Sequence, residues 1–150
     1  MIYEFCAENV TLLEKAMQAG ARRIELCDNL AVGGTTPSYG VTKAAVELAT
    51  NYDTTIMTMI RPRGGNFVYN DLEISIMLED IRLTVQAGSQ GVVFGALTAD
   101  KKLDKANLEK LIVASKGMEI VFHMAFDELS DEDQLEAIDW LSQAGVTRIL

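Results

Sequence analysis

Short β-rich runs alternate with amphipathic helical stretches along the chain. Six runs carry the β-branched and aromatic residues typical of strands: IYEFCA, RRIELC, TTIMTMIRP, GVVFGA, EIVFHMAF and VTRIL. They recur about every 20 to 35 residues, which matches βα units in a parallel sheet. The stretches between them place apolar residues at helical intervals, as Ile74, Met77, Ile81 and Val85 do. The pattern therefore predicts a repeating α/β fold.

Polar residues mark the predicted helix starts. Asn9 is placed to cap the first helix, and Asn70 stands three residues before Glu73. Ser130 with Asp133 resembles a capping box. An Ala-Gly pair closes three of the helices, at Ala19-Gly20, Ala87-Gly88 and Ala144-Gly145. Glycine there accepts the left-handed backbone conformation in which many helices end.

Two parallel architectures are compatible with this alternation. An open doubly wound sheet needs five or six strands and fits the length, whereas a β/α-barrel of the TIM type needs eight units and typically about 250 residues. The chain stops inside its sixth strand, at Arg148-Ile149-Leu150, with no helix to cover it. We therefore expect residues 1–150 to be a single β/α-barrel domain that is truncated at its C-terminal side, with about six strands of eight.

Charge and composition exclude several classes of partner. Lys and Arg number 13 against 22 Asp and Glu, which gives a formal net charge of −9. This balance opposes binding to nucleic acid and to anionic membranes. No run approaches the roughly 20 apolar residues of a membrane span, and the N-terminus lacks the features of a signal peptide. We expect a cytoplasmic protein whose two cysteines stay reduced.

Strand alternation brings the chemically interesting side chains to one face. Glu4 shares a face with Cys6, and Glu25 shares one with Cys27. The same alternation groups Met57, Met59 and Arg61 in the third strand, and Val121 and His123 in the fifth. Helices cover the outside of a barrel, so this face is expected to point inward or upward, with Arg61 as a candidate partner for Glu25. Five residues are expected at carboxyl ends of strands, where such folds place their sites: Cys6, Cys27, Arg61, Arg63 and His123.

The two cysteines have two readings. As thiolates, Cys6 and Cys27 would suit a soft metal ion such as Cu(I). Alternatively, both are small buried apolar side chains. Glu4 and Glu25 would raise the pKa values of the thiols, and a nearby arginine would offset that effect.

The segment Arg61-Pro62-Arg63-Gly64-Gly65 suggests an anion site. Two guanidinium groups and the following backbone N–H groups can converge on one phosphate or carboxylate. The alternative is a charged loop in which Arg61 and Arg63 pair with structural carboxylates.

His123 is the single histidine, and Asp127 follows it by four residues. The pair suits general acid–base catalysis or metal binding, and Glu25 is a further acid–base candidate. A core histidine held by a carboxylate is the alternative. No lysine falls on a predicted strand, which disfavours Schiff-base chemistry.

Several motifs resemble those of one known family. ELCDNLAVGGTTPSYG, MIRPRGGNFVYND, MLEDIR, GVVFG and VFHMAFD are similar to motifs of the copper homeostasis protein CutC family. The resemblance implies a β/α-barrel of more than 200 residues and a role in cytoplasmic copper handling, with Cu(I) at Cys6 and Cys27. It also implies that Arg61, Arg63, His123 and Asp127 occupy the barrel mouth.

Three hypotheses follow. The first is a cytoplasmic protein that binds Cu(I) at Cys6 and Cys27. The second is a barrel enzyme acting on a small anionic or phosphorylated metabolite, with Arg61 and Arg63 holding the anion. In it His123, Glu25 and Asp127 would do the chemistry. The third is an interaction scaffold whose open sheet edge pairs with another chain, and a homo-oligomer, most simply a dimer, is expected.

Overall fold

Six parallel strands form one sheet in the computed structural model, which describes all 150 residues. Each strand pairs with the next along the chain, so the order is β1-β2-β3-β4-β5-β6. The strands are β1 (Glu4–Glu8), β2 (Arg23–Cys27), β3 (Thr55–Met59), β4 (Gly91–Phe94), β5 (Glu119–Phe122) and β6 (Arg148–Ile149). This succession is the βα repeat that the sequence predicts.

One helix connects each pair of neighbouring strands. The helices are α1 (Leu13–Gln18), α2 (Tyr39–Ala49), α3 (Asp71–Ala87), α4 (Lys105–Ala114) and α5 (Asp131–Ala144). Two short 3₁₀ helices, Leu30–Val32 and Met124–Glu128, follow β2 and β5. No helix is long and apolar enough to cross a membrane.

The sheet is rolled. A flat sheet would hold its first and sixth strands about 24 Å apart, since neighbours are spaced by about 4.8 Å. Instead Nη2 of Arg148 on β6 donates a hydrogen bond to Oε1 of Glu4 on β1 at 3.3 Å. Arg23 joins them, with Nη1 lying 3.7 Å from Glu4 and Nη2 lying 3.7 Å from Glu119. The fold is thus a six-stranded part of a β/α-barrel, as expected.

The two faces of the sheet have different cores. Outward-facing strand residues such as Ile24, Ile56 and Phe122 pack with the helices in two large apolar clusters. A small separate cluster lines the inward face and consists of Cys27, Met57, Met59, Val93 and Val121. The strand alternation therefore predicts the inner face correctly.

Helix ends agree with the sequence at two of three predicted caps. Asn70 and Glu73 form a complete capping box at α3, and the Ser130 side chain accepts from the backbone N–H of Asp133 at α5. The prediction for Asn9 is wrong, because α1 begins after Leu12. Asn9 adopts a positive φ of 53°, and its side-chain amide donates to Asp28 instead.

Candidate functional site

Two cysteines and a glutamate meet on the inward face of β1 and β2. Cys6 and Glu25 are directly paired in the register, and Cys27 follows Glu25 by two residues on the same face. Both thiols donate to Oε1 of Glu25 at 3.7 Å. One ligand atom from each of the three residues lies within 4.8 Å of the other two. This arrangement is called the Cys-Glu-Cys cluster below.

The position of Cys6 corrects one expectation. Cys6 is the third of the five residues of β1, so it lies within the strand and not at its carboxyl end. Cys27 is the last residue of β2, as predicted. The Cys-Glu-Cys cluster consequently lies below the mouth of the barrel, inside the rolled sheet.

Protonation in the Cys-Glu-Cys cluster is asymmetric. A hydrogen bond with Cys27 lowers the pKa of the Cys6 thiol. The same hydrogen bond, together with burial and the charge of Glu25, raises the pKa of the Cys27 thiol. Burial and the neighbouring Glu4 raise the pKa of Glu25. Cys6 is exposed while Cys27 is buried, so the first proton leaves most easily from Cys6.

The Cys-Glu-Cys cluster borders an apolar interior. Met57 is in register with Glu25, and the methionines at 57 and 59 are fully buried. A Cβ added at Gly91 would lie 2.0 Å from Cε of Met57, so the missing side chain at that position leaves room for the thioether. Cys27 therefore shares a small apolar cluster with Met57 and Met59.

Arg61 lies two residues beyond β3 and is 3% exposed. Its Nη1 donates to the carbonyl oxygens of Val32 at 2.7 Å and Gly34 at 2.9 Å, and its Nη2 donates to that of Gly65 at 2.7 Å. The expectation that Arg61 partners Glu25 is wrong, because the guanidinium is held by loop carbonyls and Glu25 is held by thiols. Arg61 ties the loops after β2 and β3 together.

Arg63 has a different set of partners. It forms an ion pair with Glu73 of α3, and its guanidinium also donates to the carbonyl oxygens of Asn66 and Val68. The Glu73 hydrogen bond raises the pKa of Arg63. This is the structural alternative that the sequence left open, while anion binding by Arg63 stays a prediction.

His123 follows β5 directly and is 1% exposed. Its Nδ1 accepts from the backbone N–H of Ala125 at 3.2 Å, so the neutral ring carries its proton on Nε2. Burial and the charge of Arg61 lower the pKa of His123 to about 3. The ring packs against Phe67, with centroids 5.0 Å apart.

The three predicted acid–base residues are not brought together. Asp127 is exposed and makes no side-chain hydrogen bond or ion pair, so it does not hold His123. Glu25 bonds only to the two thiols. The catalytic roles of His123, Glu25 and Asp127 remain predictions.

Two aromatic residues at the barrel mouth are not among the site residues that the sequence predicts. The Phe67 ring lies 4.9 Å from Cζ of Arg61, and the Tyr69 ring lies 5.3 Å from Cζ of Arg63. Both follow Gly64-Gly65 in a loop that looks polar and flexible in sequence. The signal in the sequence is that two aromatic residues, two positions apart, follow two arginines that are also two positions apart. Arginine side chains stack on aromatic rings, so this pattern could have predicted the two contacts.

The rolled parallel sheet and its inward-facing polar residues define a β/α-barrel protein. The carboxyl transferase domain of Rhizobium etli pyruvate carboxylase matches 99% of the chain with a TM-score of 0.65 at 11% identity, over 26% of its own length. At that identity the likeness shows the fold alone.

The chain belongs to the CutC family, whose model matches residues 1–150. A family protein named CutC from Enterococcus faecalis is 56% identical over the whole chain, which spans 72% of that relative. One from Bacteroides thetaiotaomicron is 41% identical over 148 residues, 58% of its length. A crystal structure named for a copper homeostasis protein, CutC from Streptococcus agalactiae, superposes with a TM-score of 0.96 at 51% identity. It covers 99% of this chain and 71% of that one.

Proposed function

We propose that the protein binds Cu(I) at Cys6 and Cys27 as cargo in cytoplasmic copper homeostasis. The observation that carries this proposal is the Cys-Glu-Cys cluster, whose three potential ligand atoms lie within 4.8 Å of one another. These residues come from two neighbouring strands of a rigid sheet. Such a support holds ligands in place more firmly than a loop does.

The donor set fits a soft monovalent ion. Thiolates are the preferred ligands of Cu(I), because both the ion and the sulfur are soft. Glu25 accepts from both thiols before binding and is a proton acceptor beside them. The name of the Streptococcus agalactiae relative agrees with a copper role.

The backbone keeps the two thiols available for metal. Cys27 pairs with Glu8 and Cys6 pairs with Glu25, so the cysteines are diagonal neighbours. In a parallel pair, a strand spacing of about 4.8 Å and an offset of two residues at about 3.3 Å each put the two Cα atoms about 8 Å apart, whereas disulfides span about 4.4–6.8 Å. A metal ion bridges this separation more readily than a direct bond between the sulfurs.

Anaerobic titration with Cu(I) against a competing chelator tests the proposal. We expect one equivalent to bind to the wild type, and we expect Cys6→Ser and Cys27→Ser each to lower the affinity by about a hundredfold or more, since each removes one of two thiolates. Affinity should rise with pH, because the raised pKa of Cys27 means that binding displaces a proton.

The control is Glu47→Gln, which neutralises an exposed carboxylate on α2. That variant should bind Cu(I) as the wild type does. Unchanged affinity in the double cysteine variant would reject the proposal, because the chain has no other cysteine.

A further inference from the structure

Buried polar atoms without partners gather at the mouth of the barrel. Five side-chain nitrogen or oxygen atoms in the whole chain are buried and lack a hydrogen bond. Two are Nε atoms of Arg23 and Arg148, whose guanidinium groups pair with carboxylates elsewhere. The other three are Nε of Arg61, Nε2 of His123 and the hydroxyl oxygen of Tyr69. The Tyr69 hydroxyl lies beside the Arg61 guanidinium, which is its nearest hydrogen-bonding neighbour, so the two nitrogens carry the argument. Native interiors leave few such atoms, and a cluster of them points to a missing hydrogen-bonding group.

The charge of Arg61 also lacks a counterion. Every acceptor of its guanidinium is a neutral backbone carbonyl, and no carboxylate forms an ion pair with it. A buried charge is costly unless an opposite charge compensates it. Only three of the five N–H donors of an arginine side chain are matched here. The unmatched ones include the Nε–H group.

His123 supplies a second donor close to this cation. Its proton is on Nε2, which is buried and unpaired. Arg61 is near enough to contribute to the lowered pKa of His123. The Phe67 ring contacts both side chains, at 4.9 Å from Cζ of Arg61 and 5.0 Å from the His123 ring. Phe67 therefore lies against both side chains.

We infer that the barrel mouth binds an oxyanion, the carboxylate or phosphate group of a small ligand, between Arg61 and His123. The anion accepts from Nε–H of Arg61 and Nε2–H of His123, and it compensates the buried charge. Phe67 moves aside to admit it, carried by the loop that contains Gly64 and Gly65. Arg63 takes no part, because Glu73 already neutralises it. This site is independent of copper binding at the cysteines.

The neutral histidine suits this role. A protonated His123 would repel Arg61, and burial prevents that protonation near neutral pH. A neutral imidazole still donates one N–H bond, so it contributes direction without a second charge. The site therefore recognises one oxyanion group held at a fixed angle.

The test is a nuclear magnetic resonance titration of ¹⁵N-labelled protein with inorganic phosphate and, separately, with oxalate. We expect saturable shifts of the Arg61 Nε–H and His123 Nε2–H signals with at least one of them, which also tells phosphate from carboxylate. His123→Phe should weaken binding about tenfold or more, since a hydrogen bond to a charged group is lost.

Arg82→Gln is the control, because it removes the positive charge of an exposed arginine on α3 that pairs with Glu79. Its affinity should equal that of the wild type. An equal loss in Arg82→Gln would show non-specific attraction and overturn the site. The wild-type spectra decide the case even if His123→Phe fails to fold. If the Arg61 and His123 signals shift only at ligand concentrations that also shift the signals of exposed lysines, the inference is wrong.

Discussion

His123 combines near-complete burial with a neighbouring cation. It is 1% exposed, and Arg61 is near enough to disfavour a second positive charge. The unfolded chain offers the imidazole water on all sides, where its pKa is about 6.5. Folding therefore lowers the pKa of His123 to about 3.

This shift makes stability depend on pH in a definite direction. Below about pH 6.5, His123 binds a proton in the unfolded chain but stays neutral in the folded chain. The contribution of neutral His123 to the free energy of unfolding is therefore fully present above that pH and is lost as the pH falls toward about 3. We expect the imidazole signals of the folded protein to stay constant between about pH 8 and 5 in proton magnetic resonance spectra.

Unfolding in urea provides the comparison for this histidine. The same signals should then titrate with a midpoint near 6.5. The assignment is unambiguous because the chain has no other histidine. A folded midpoint close to that of the unfolded protein would contradict the buried, neutral state.

Single residues also show where a sequence is informative. Strand alternation places Cys6, Glu25 and Cys27 on one face, and that much is predictable from a period of two. The partner of Arg61 is not, since its acceptors are carbonyls of residues 32, 34 and 65. Backbone carbonyls exist at every position, so no side-chain pattern singles these three out.

At the scale of an element, two reciprocal hydrogen bonds fix the start of helix α3. The Asn70 side chain accepts from the Glu73 backbone N–H at 2.9 Å, and Glu73 accepts in return from the Asn70 N–H at 2.9 Å. Glu73 also pairs with Arg63 of the preceding loop. The cap thereby links the start of α3 to the loop that carries Phe67.

Removing this cap should cost measurable stability. We expect Asn70→Ala to lower the free energy of unfolding by about 1 kcal/mol, because one orphan N–H loses its acceptor. Urea denaturation followed by circular dichroism measures the difference. Asn51→Ala is the control, since Asn51 is exposed and its side chain makes no hydrogen bond. A loss as large at position 51 would speak against a specific role of the cap.

A short sequence pattern predicts a helix cap wrongly when the side chain makes a contact that is distant in the sequence. A polar residue before an apolar helix predicts a cap at Asn70 and Ser130 correctly, because both caps are formed within four residues of chain. At Asn9 the same signal misleads, since the side chain bonds to Asp28, nineteen residues away. Strand β3 likewise stops at Met59, one residue before the apolar run ends at Ile60. The loop that Arg61 holds through its hydrogen bonds begins there.

At the scale of the whole molecule, three charged side chains inside the rolled sheet connect β1 with β2 and β6. Glu4 contacts both Arg23 and Arg148, and these three side chains are one-quarter exposed or less. The pattern of βα units predicts the parallel sheet, but it does not distinguish an open sheet from a rolled one. The ion pair between the first and last strands makes that distinction.

Glu4→Gln tests this link. We expect it to lower the free energy of unfolding by about 1–2 kcal/mol, since two partly buried arginines lose their shared partner. Thermal unfolding at low and high salt measures the loss. Glu79→Gln removes an exposed pair with Arg82, and it should cost at most about 0.5 kcal/mol. Equal losses in the two variants would mean that the inner charges contribute no more than surface ones.

The contact between Glu4 and Arg148 also sets an order of events during synthesis. Its partners lie 144 residues apart, so it forms only after Arg148 has left the ribosome. The strand pairs, in contrast, all join neighbours in sequence, so each pair can form once its second strand has emerged. Arg23, made early, accompanies Glu4 meanwhile. The nascent protein thus begins as a growing row of βα units, and the side-chain contact between β1 and β6 is added after them.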